Sequence, residues 1–389
     1  MNLLTFVVEQ LQPFGAFLLY ATAFLFVLTV VVFVHELGHF LVARWCGVKV
    51  DVFSIGFGRE IFGFNDRYGT RWKFSWIPLG GYVKFMDDDD PTSSTAHKPA
   101  GQMTAQERAG SFHLKPLWQR ASVVAAGPIA NFIFAIVVFA LMFWTFGERV
   151  TAPKVDAVVE GLPAAQAGIQ AGDVVREING AQIRSFNDLQ RFVGTSIGQP
   201  LTVVVDRGGS LVTLQMTPVG REMDDGIGGK MTRGVIGIQR SATPESYVVN
   251  QPGPVEAIGL GVRETGFVIT STLGYLRDIV FGRQDAQQIG GVIRIAEATR
   301  QVVDLRPEML PHFIALISVS IGLINLFPIP LLDGGHLMFY AIEAVRRRPL
   351  SERTQELAFR MGLAVVLALM AFAFWNDRFI PLRWIGASG

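Results

Sequence analysis

The hydrophobic positions of this 389-residue chain gather into four long runs that carry almost no charge, separated by segments in which polar residues alternate with short apolar ones. Phe14 to Val34 and Ala121 to Phe146 are uncharged, Met309 to Leu332 holds one histidine, and Leu357 to Trp375 contains only Arg360. Each is long enough to cross about 30 Å of hydrocarbon as a helix. Ala257 to Phe281 is also apolar, but Arg263, Glu264, Arg277 and Asp278 interrupt it, so it reads as an amphipathic helix lying at the membrane surface. The expected fold class is a multi-pass α-helical membrane protein with four transmembrane helices.

Composition supports this reading: half of the residues are hydrophobic and 17% are charged, too apolar for an ordinary soluble enzyme. A net charge of +1 gives no basic field, so a nucleic-acid partner is not expected. The single cysteine, Cys46, cannot form an intramolecular disulfide and reads as a small buried residue. The first fifteen residues lack the Lys or Arg of a cleavable signal, so the first run is expected to stay in the membrane. Basic residues set the orientation: Arg44, Lys49, Lys115 and Arg120 flank the loop between spans one and two, and Arg346, Arg347, Arg348 and Arg353 follow span three. Both loops are expected on the cytoplasmic side, with the polar insert from roughly 150 to 308 on the other side.

His35-Glu36-Leu37-Gly38-His39 continues the first apolar run and matches H-E-x-x-H. Residues at i and i+4 share a helix face, so both imidazoles can reach one zinc ion while the adjacent carboxylate addresses the open coordination site. That chemistry is metal-assisted hydrolysis with Glu36 as general base. Ionisable groups at the end of an apolar span are costly and point to function. A third ligand must come from the same membrane depth, and span three runs inward to end in Asn325-Leu326-Phe327-Pro328-Ile329-Pro330-Leu331-Leu332-Asp333-Gly334-Gly335-His336. Asp333 is the expected third ligand. His336 is a rival, but a fourth protein ligand would close the site, so it is read as structural.

These motifs, together with Phe53-Ser54-Ile55-Gly56-Phe57-Gly58, Pro78-Leu79-Gly80-Gly81-Tyr82-Val83-Lys84 and Gly127-Pro128-Ile129-Ala130-Asn131, resemble the bacterial regulator of sigma-E protease group within the site-2 family of intramembrane metalloproteases. The resemblance runs through nearly the whole chain. It implies His35, His39 and Asp333 as Zn2+ ligands, Glu36 as catalytic base, and cleavage of a single-pass membrane protein of the anti-sigma factor type in the bacterial inner membrane. A protease clearing signal-peptide remnants would use the same site, and a catalytically silent scaffold is the alternative from another class.

A helix hides its carbonyls, so a substrate must be unwound before attack. Arg71 to Phe85 alternates and is broken by Pro78 and Gly80-Gly81, which predicts a hairpin. In the resembled family this region dips toward the membrane and pairs with the substrate strand, which implies Gly80, Gly81 and Tyr82, and with them Asn325, Pro328 and Pro330, as substrate-binding residues. Asn131 either positions substrate or bonds between helices. Gly127-Pro128 reads as a packing and kink device, and Asp87 to Asp90 as a solvated loop.

Lys154 to about Pro218 resembles a PDZ domain of the permuted bacterial kind, able to bind a peptide along a sheet edge. The insert has room for one such domain, where the relatives that regulate sigma-E carry two. Ile289 to Ile295 resembles a family segment but has Val292 in place of proline, and no chemistry is assigned to it. The expected organisation is a first helix with HExxH (1–46), a cytoplasmic loop with a membrane-associated β-hairpin (47–118), a second helix (119–149), the PDZ domain and tail (150–250), an amphipathic interfacial segment (251–308), a third helix with the LDGG motif (309–336), and a basic loop with the fourth helix (337–389).

Overall fold

A computed structural model describes residues 3–86, 103–224, 230–240, 248–282, 286 and 290–377. In chain order they form α1 (Leu3–Trp45), β1 (Val50–Asn65), β2 (Arg71–Phe85), α2 (Ala105–Gly110), α3 (Leu117–Phe146), β3 (Glu148–Val150), β4 (Ala157–Val158), α4 (Pro163–Gln166), β5 (Val174–Ile178), β6 (Ala181–Gln182), α5 (Phe186–Thr195), β7 (Leu201–Arg207) and β8 (Ser210–Met216). There follow β9 (Val219–Asp224), β10 (Lys230–Val235), β11 (Ile238–Gln239), β12 (Val248–Asn250), α6 (Pro254–Val280), α7 (Val292–Leu305), α8 (Leu310–Asn325), α9 (Asp333–Arg346) and α10 (Glu352–Asp377). The acidic run Asp87 to Asp90 and residue Ile289 lie outside the described residues. The chain divides into two compact units, one made of Met1–Val138 with Gly290–Arg378 and the other of Phe139–Ile289.

Among the described residues four helical stretches are long and apolar enough to cross a membrane: Gly15–Trp45, Leu117–Phe146, Pro307–Asn325 and Arg353–Asp377. In the first unit Val27 and Val31 of α1 pack with Phe134 of α3 and with Ile314, Ile317 and Ile321 of α8. On α10, Leu363, Leu367, Met370 and Phe374 are exposed, the apolar outer face that a membrane-crossing helix presents.

The third run departs from its expected extent. Helix α8 stops at Asn325 rather than continuing to Leu332, because Pro328 and Pro330 supply no backbone N–H and push the residues before them away from helical backbone angles. A new helix, α9, begins at Asp333. The basic connection before α10 is therefore mostly helical. Glycine makes the fold-back fit: a Cβ on Gly334 would sit 2.3 Å from the carbonyl oxygens of Leu326 and Phe327, and one on Gly335 would sit 2.4 Å from that of Ile329.

The hairpin also differs from expectation. Arg71–Phe85 is a single strand, paired antiparallel with β1, and the reversal lies at residues 66–70. There Asp66 Oδ1 accepts the backbone N–H groups of Tyr68 and Thr70, a local turn an aspartate builds readily. At Pro78 to Gly80 the strand bends instead of turning, and the register slips between Ile55 opposite Gly81 and Phe57 opposite Ile77. Gly56 and Gly80, at φ +89° and +146°, take the backbone angles this bend demands. The sheet thus folds on itself, with Val52–Ile55 lying between residues 81–84 on one side and 71–74 on the other. Phe53, fully buried, anchors it to Phe40 of α1 and to Trp72.

In the second unit a four-stranded antiparallel sheet runs in the order β6-β5-β7-β8. Leu201, Val203 and Val205 of β7 point inward at every second position, and meet Leu189 and Val193 of α5. The segment expected as one interfacial stretch, 251–308, holds two helices, α6 and α7. Helix α6 belongs to the second unit, where buried Glu264 receives both Nη groups of Arg191 from α5, at 2.6 and 3.0 Å.

Within this unit Asp173, 1% exposed, accepts Arg207 Nε and Nη2, both at 2.8 Å, and the backbone N–H of Gln170. The Arg207 guanidinium holds the Asp173 carboxyl below its ordinary range, against the upward push of burial. Since the folded-state value lies below the unfolded one of about 3.9, the stabilisation is complete above that pH and is lost as pH falls through the folded value. Asp173→Asn is expected to cost this unit about 2 kcal/mol at pH 7, the gap to wild type closing below about pH 4. Amide hydrogen exchange of β5 and β7 in the full-length protein measures it.

Candidate metal centre

Helix α1 continues unbroken through His35, Glu36 and His39, so the two imidazoles project from one face one turn apart. Their Nε2 atoms lie 3.2 Å from each other. Asp333, the first residue of α9, brings its Oδ2 to 3.1 Å from His35 Nε2 and 3.6 Å from His39 Nε2. Among the described residues these three form the group able to hold a metal ion, with ligand atoms all within 4.8 Å of one another.

Close approach of α3 builds the back of the site. A Cβ on Gly38 of α1 would lie 2.3 Å from the carbonyl oxygen of Ala126, so only glycine lets the two helices meet there. A Cβ on Gly127 would lie 2.3 Å from His39 Nε2 and 2.9 Å from His35 Cε1. The backbone of α3 also orients one ring: His39 Nδ1 donates to the Val123 carbonyl at 2.8 Å. A carbonyl can only accept, so the His39 proton sits on Nδ1 and the lone pair of Nε2 is free to bind a metal.

The donor set fits zinc. Two imidazoles and one carboxylate are the ligands of hydrolytic zinc sites that keep a position open. Asp333 Oδ2 is buried yet accepts no hydrogen bond, although two ring nitrogens lie close by, an arrangement that a cation between them satisfies.

Glu36 stands beside this group, near the backbone N–H of Val83. The strand segment carrying Val83 runs next to it: a Cβ on Gly81 would lie 3.2 Å from Glu36 Cγ. Tyr82 is stacked on Phe57, ring centroids 6.1 Å apart, and the Phe57 ring fills the space beside Gly80. Asn325 is the last residue of α8, and Pro328 and Pro330 lie in the connection that wraps the start of α9. His336 is on the first turn of α9, with its ring against Phe339 and Phe359 and outside the metal-ligating group.

Three contributors were invisible as such in the sequence. Val123 acts through its carbonyl, which no residue type announces. Gly362 of α10 packs where a Cβ would overlap the Pro330 carbonyl oxygen, and an isolated glycine within an apolar run is the only signal of it. Arg120, readable as a loop charge, reaches from α3 to Glu343 of α9 at 2.6 Å and lies over the Tyr340 ring, tying the helix that begins with Asp333 to the helix behind the histidines.

Comparison with known proteins agrees with this geometry. The family model described as Peptidase family M50 matches residues 23–369. A protein of Agrobacterium fabrum, provisionally named a zinc metalloprotease, is 48% identical over 358 residues, covering 92% of this chain and 95% of its own. Metalloprotease MmpA of Caulobacter vibrioides is 40% identical over 394 residues, covering 95% and 98%. A third relative, from Vibrio cholerae and likewise provisionally named, is 31% identical over 456 residues, covering 91% and 97%. With a family match across most of its length and relatives aligned nearly end to end, the chain belongs to peptidase family M50 and is a zinc metalloprotease with four candidate transmembrane helices.

Proposed function

We propose that this metalloprotease cleaves single-pass membrane proteins within their transmembrane segments, in the inner membrane of a bacterium. The observation that carries the proposal is the place of the site: His35, Glu36 and His39 all lie within the candidate membrane span Gly15–Trp45, so the scissile bond must be presented by a chain that is itself in the membrane.

In this reading His35, His39 and Asp333 hold the zinc and Glu36 is the general base. Zinc, when bound, supplies Lewis-acid activation of water and of the scissile carbonyl. Glu36 takes the proton of the attacking water and returns it to the leaving nitrogen. The strand segment around Gly81 lies beside its side chain, and Asp333 and the two neutral rings keep their places through α9 and α3. The substrate arrives as a helix and must expose its backbone. Segment 80–85, with Gly80, Gly81 and Tyr82, offers an extended strand beside Glu36 on which an unwound stretch pairs through main-chain bonds, without demanding one sequence. Asn325, Pro328 and Pro330 lie in the irregular backbone leading to Asp333 and are assigned to the same substrate path.

The sheet β6-β5-β7-β8 with α5 packed on it supports a PDZ-like domain, a fold suited to gripping an extended chain. It serves recognition, of an anti-sigma factor or of a signal-peptide remnant. The basic residues flanking the first loop and following α9 support a cytoplasmic active site with this domain on the opposite side.

The test is cleavage of a panel of tagged single-pass substrates by the purified full-length protein in detergent, with zinc quantified. Glu36→Gln is expected to lower the rate by about 10²–10⁴-fold while zinc remains bound. Gly127→Ala, which places a methyl against both rings, is expected to weaken zinc binding by about 10–100-fold with little change in helix content. Cleavage that survives Glu36→Gln removes the base assignment. Activity confined to soluble peptides removes the intramembrane one, and a wild type that holds zinc yet cuts no panel member favours the scaffold.

A further inference from the structure

The His39 ring has its Nδ1 proton fixed by a backbone carbonyl; the equivalent atom of His35 faces a side chain. Asn131 of α3 is completely buried and its amide lies 3.4 Å from His35 Nδ1. As placed, the amide nitrogen points at the ring and Asn131 Oδ1 has no partner. Nitrogen and oxygen of an amide are alike in shape, so the chemistry of the ring decides which one faces it. The unpartnered oxygen is not decisive by itself, because exchanging the two atoms leaves the amino group in its place.

The ring does decide. His35 Nε2 converges with His39 Nε2 and Asp333 Oδ2. If it binds zinc its lone pair must lie there, which puts the proton on Nδ1. An N–H facing an NH2 group would set two donors against each other. We infer that Asn131 turns its carbonyl oxygen to His35 and accepts the Nδ1 proton, making it the positioning residue that fixes the tautomer and ring plane of His35 for zinc. This rests on the assignment of His35 as a ligand.

Two further contacts favour positioning over a general bond between helices. Helix α8 reaches the Asn131 backbone rather than its amide: Ser318 Oγ donates to the Asn131 carbonyl at 3.0 Å. A Cβ on Gly322 would lie 3.1 Å from Asn131 Cβ. The residue is held at its main chain and Cβ by α8, and its amide is left for the ring. The result is symmetrical in role: each histidine gives its Nδ1 proton to an oxygen of α3, from the Val123 carbonyl or the Asn131 amide. Such outer partners of metal-bound imidazoles raise ligand basicity, and losing one typically costs 10–100-fold in metal affinity.

The experiment measures zinc affinity by competition with a chelator for full-length wild type, Asn131→Leu, Asn131→Asp and His35→Gln, beside the thermal melting of each metal-free form. Leucine keeps the volume without an acceptor, and aspartate keeps an acceptor. The expected result is zinc binding about 10–100-fold weaker for Asn131→Leu, and at or above the wild-type level for Asn131→Asp, even if both metal-free variants melt lower. Equal loss in the two variants, or no loss in Asn131→Leu, overturns the inference while leaving His35 a ligand. If Asn131→Leu does not fold, weaker zinc binding by Asn131→Asp overturns it alone. Undiminished zinc binding by His35→Gln overturns the ligand assignment and the inference with it.

Discussion

Two imidazoles and a carboxylate converge to within 3.6 Å among apolar helices, and the rest of the first unit is arranged around that convergence. Ionisable groups taken from water into such a place cost several kcal/mol each unless opposite charge and hydrogen bonds compensate them. A divalent cation held between them would satisfy Asp333 Oδ2, which has no hydrogen bond of its own. The helices account for the rings, whose Nδ1 atoms both face α3. Nothing in the cluster can be moved far without stranding a buried polar atom.

Small residues and chain breaks make the convergence possible. Gly38 and Gly127 bring α1 and α3 close enough for backbone to touch ring, the use that glycine commonly has between membrane helices. Pro328 and Pro330 end α8 early, and Gly334 and Gly335 let the released chain fold tightly onto the start of α9. Leu331 takes a positive φ of 121° in this connection, a strained angle for a leucine and a sign that surrounding contacts hold the segment in shape. Asp333 then stands at a helix start, where the first N–H groups favour a carboxylate. Arg120 and Glu343 secure the far part of the same helix. The folded sheet adds the last component, a strand whose Gly81 lies against the Glu36 side chain.

The second unit obeys different physics. Its sheet has a core of alternating apolar positions, and two of its ion pairs, Asp173 with Arg207 and Glu264 with Arg191, bury a carboxylate against a guanidinium with two bonds each. The pair on Glu264 locks α5, part of the sheet-packed domain, to α6. This unit contains no cysteine, so such pairs and the apolar core hold it together.

Much was legible from residue types alone. Uninterrupted apolar runs declared the four spans because lipid offers nothing to a backbone outside a helix. The i, i+4 histidines with an intervening glutamate declared the metal chemistry, because one helical turn puts both rings within reach of one ion. The place of Asp333 beside the two histidines was legible through the direction of its span. Tertiary structure alone decided where α8 ends, since proline marks a break but not how the freed chain packs. It decided that Arg71–Phe85 is one bent strand, because Asp66 builds the turn and Pro78 with Gly80 only a kink. It also decided the contributions of Val123, Gly127 and Asn131, which act through a carbonyl, a missing side chain and an amide of ambiguous orientation. Sequence names chemical groups, whereas these three matter through distance, and distance exists only once α1 and α3 have packed.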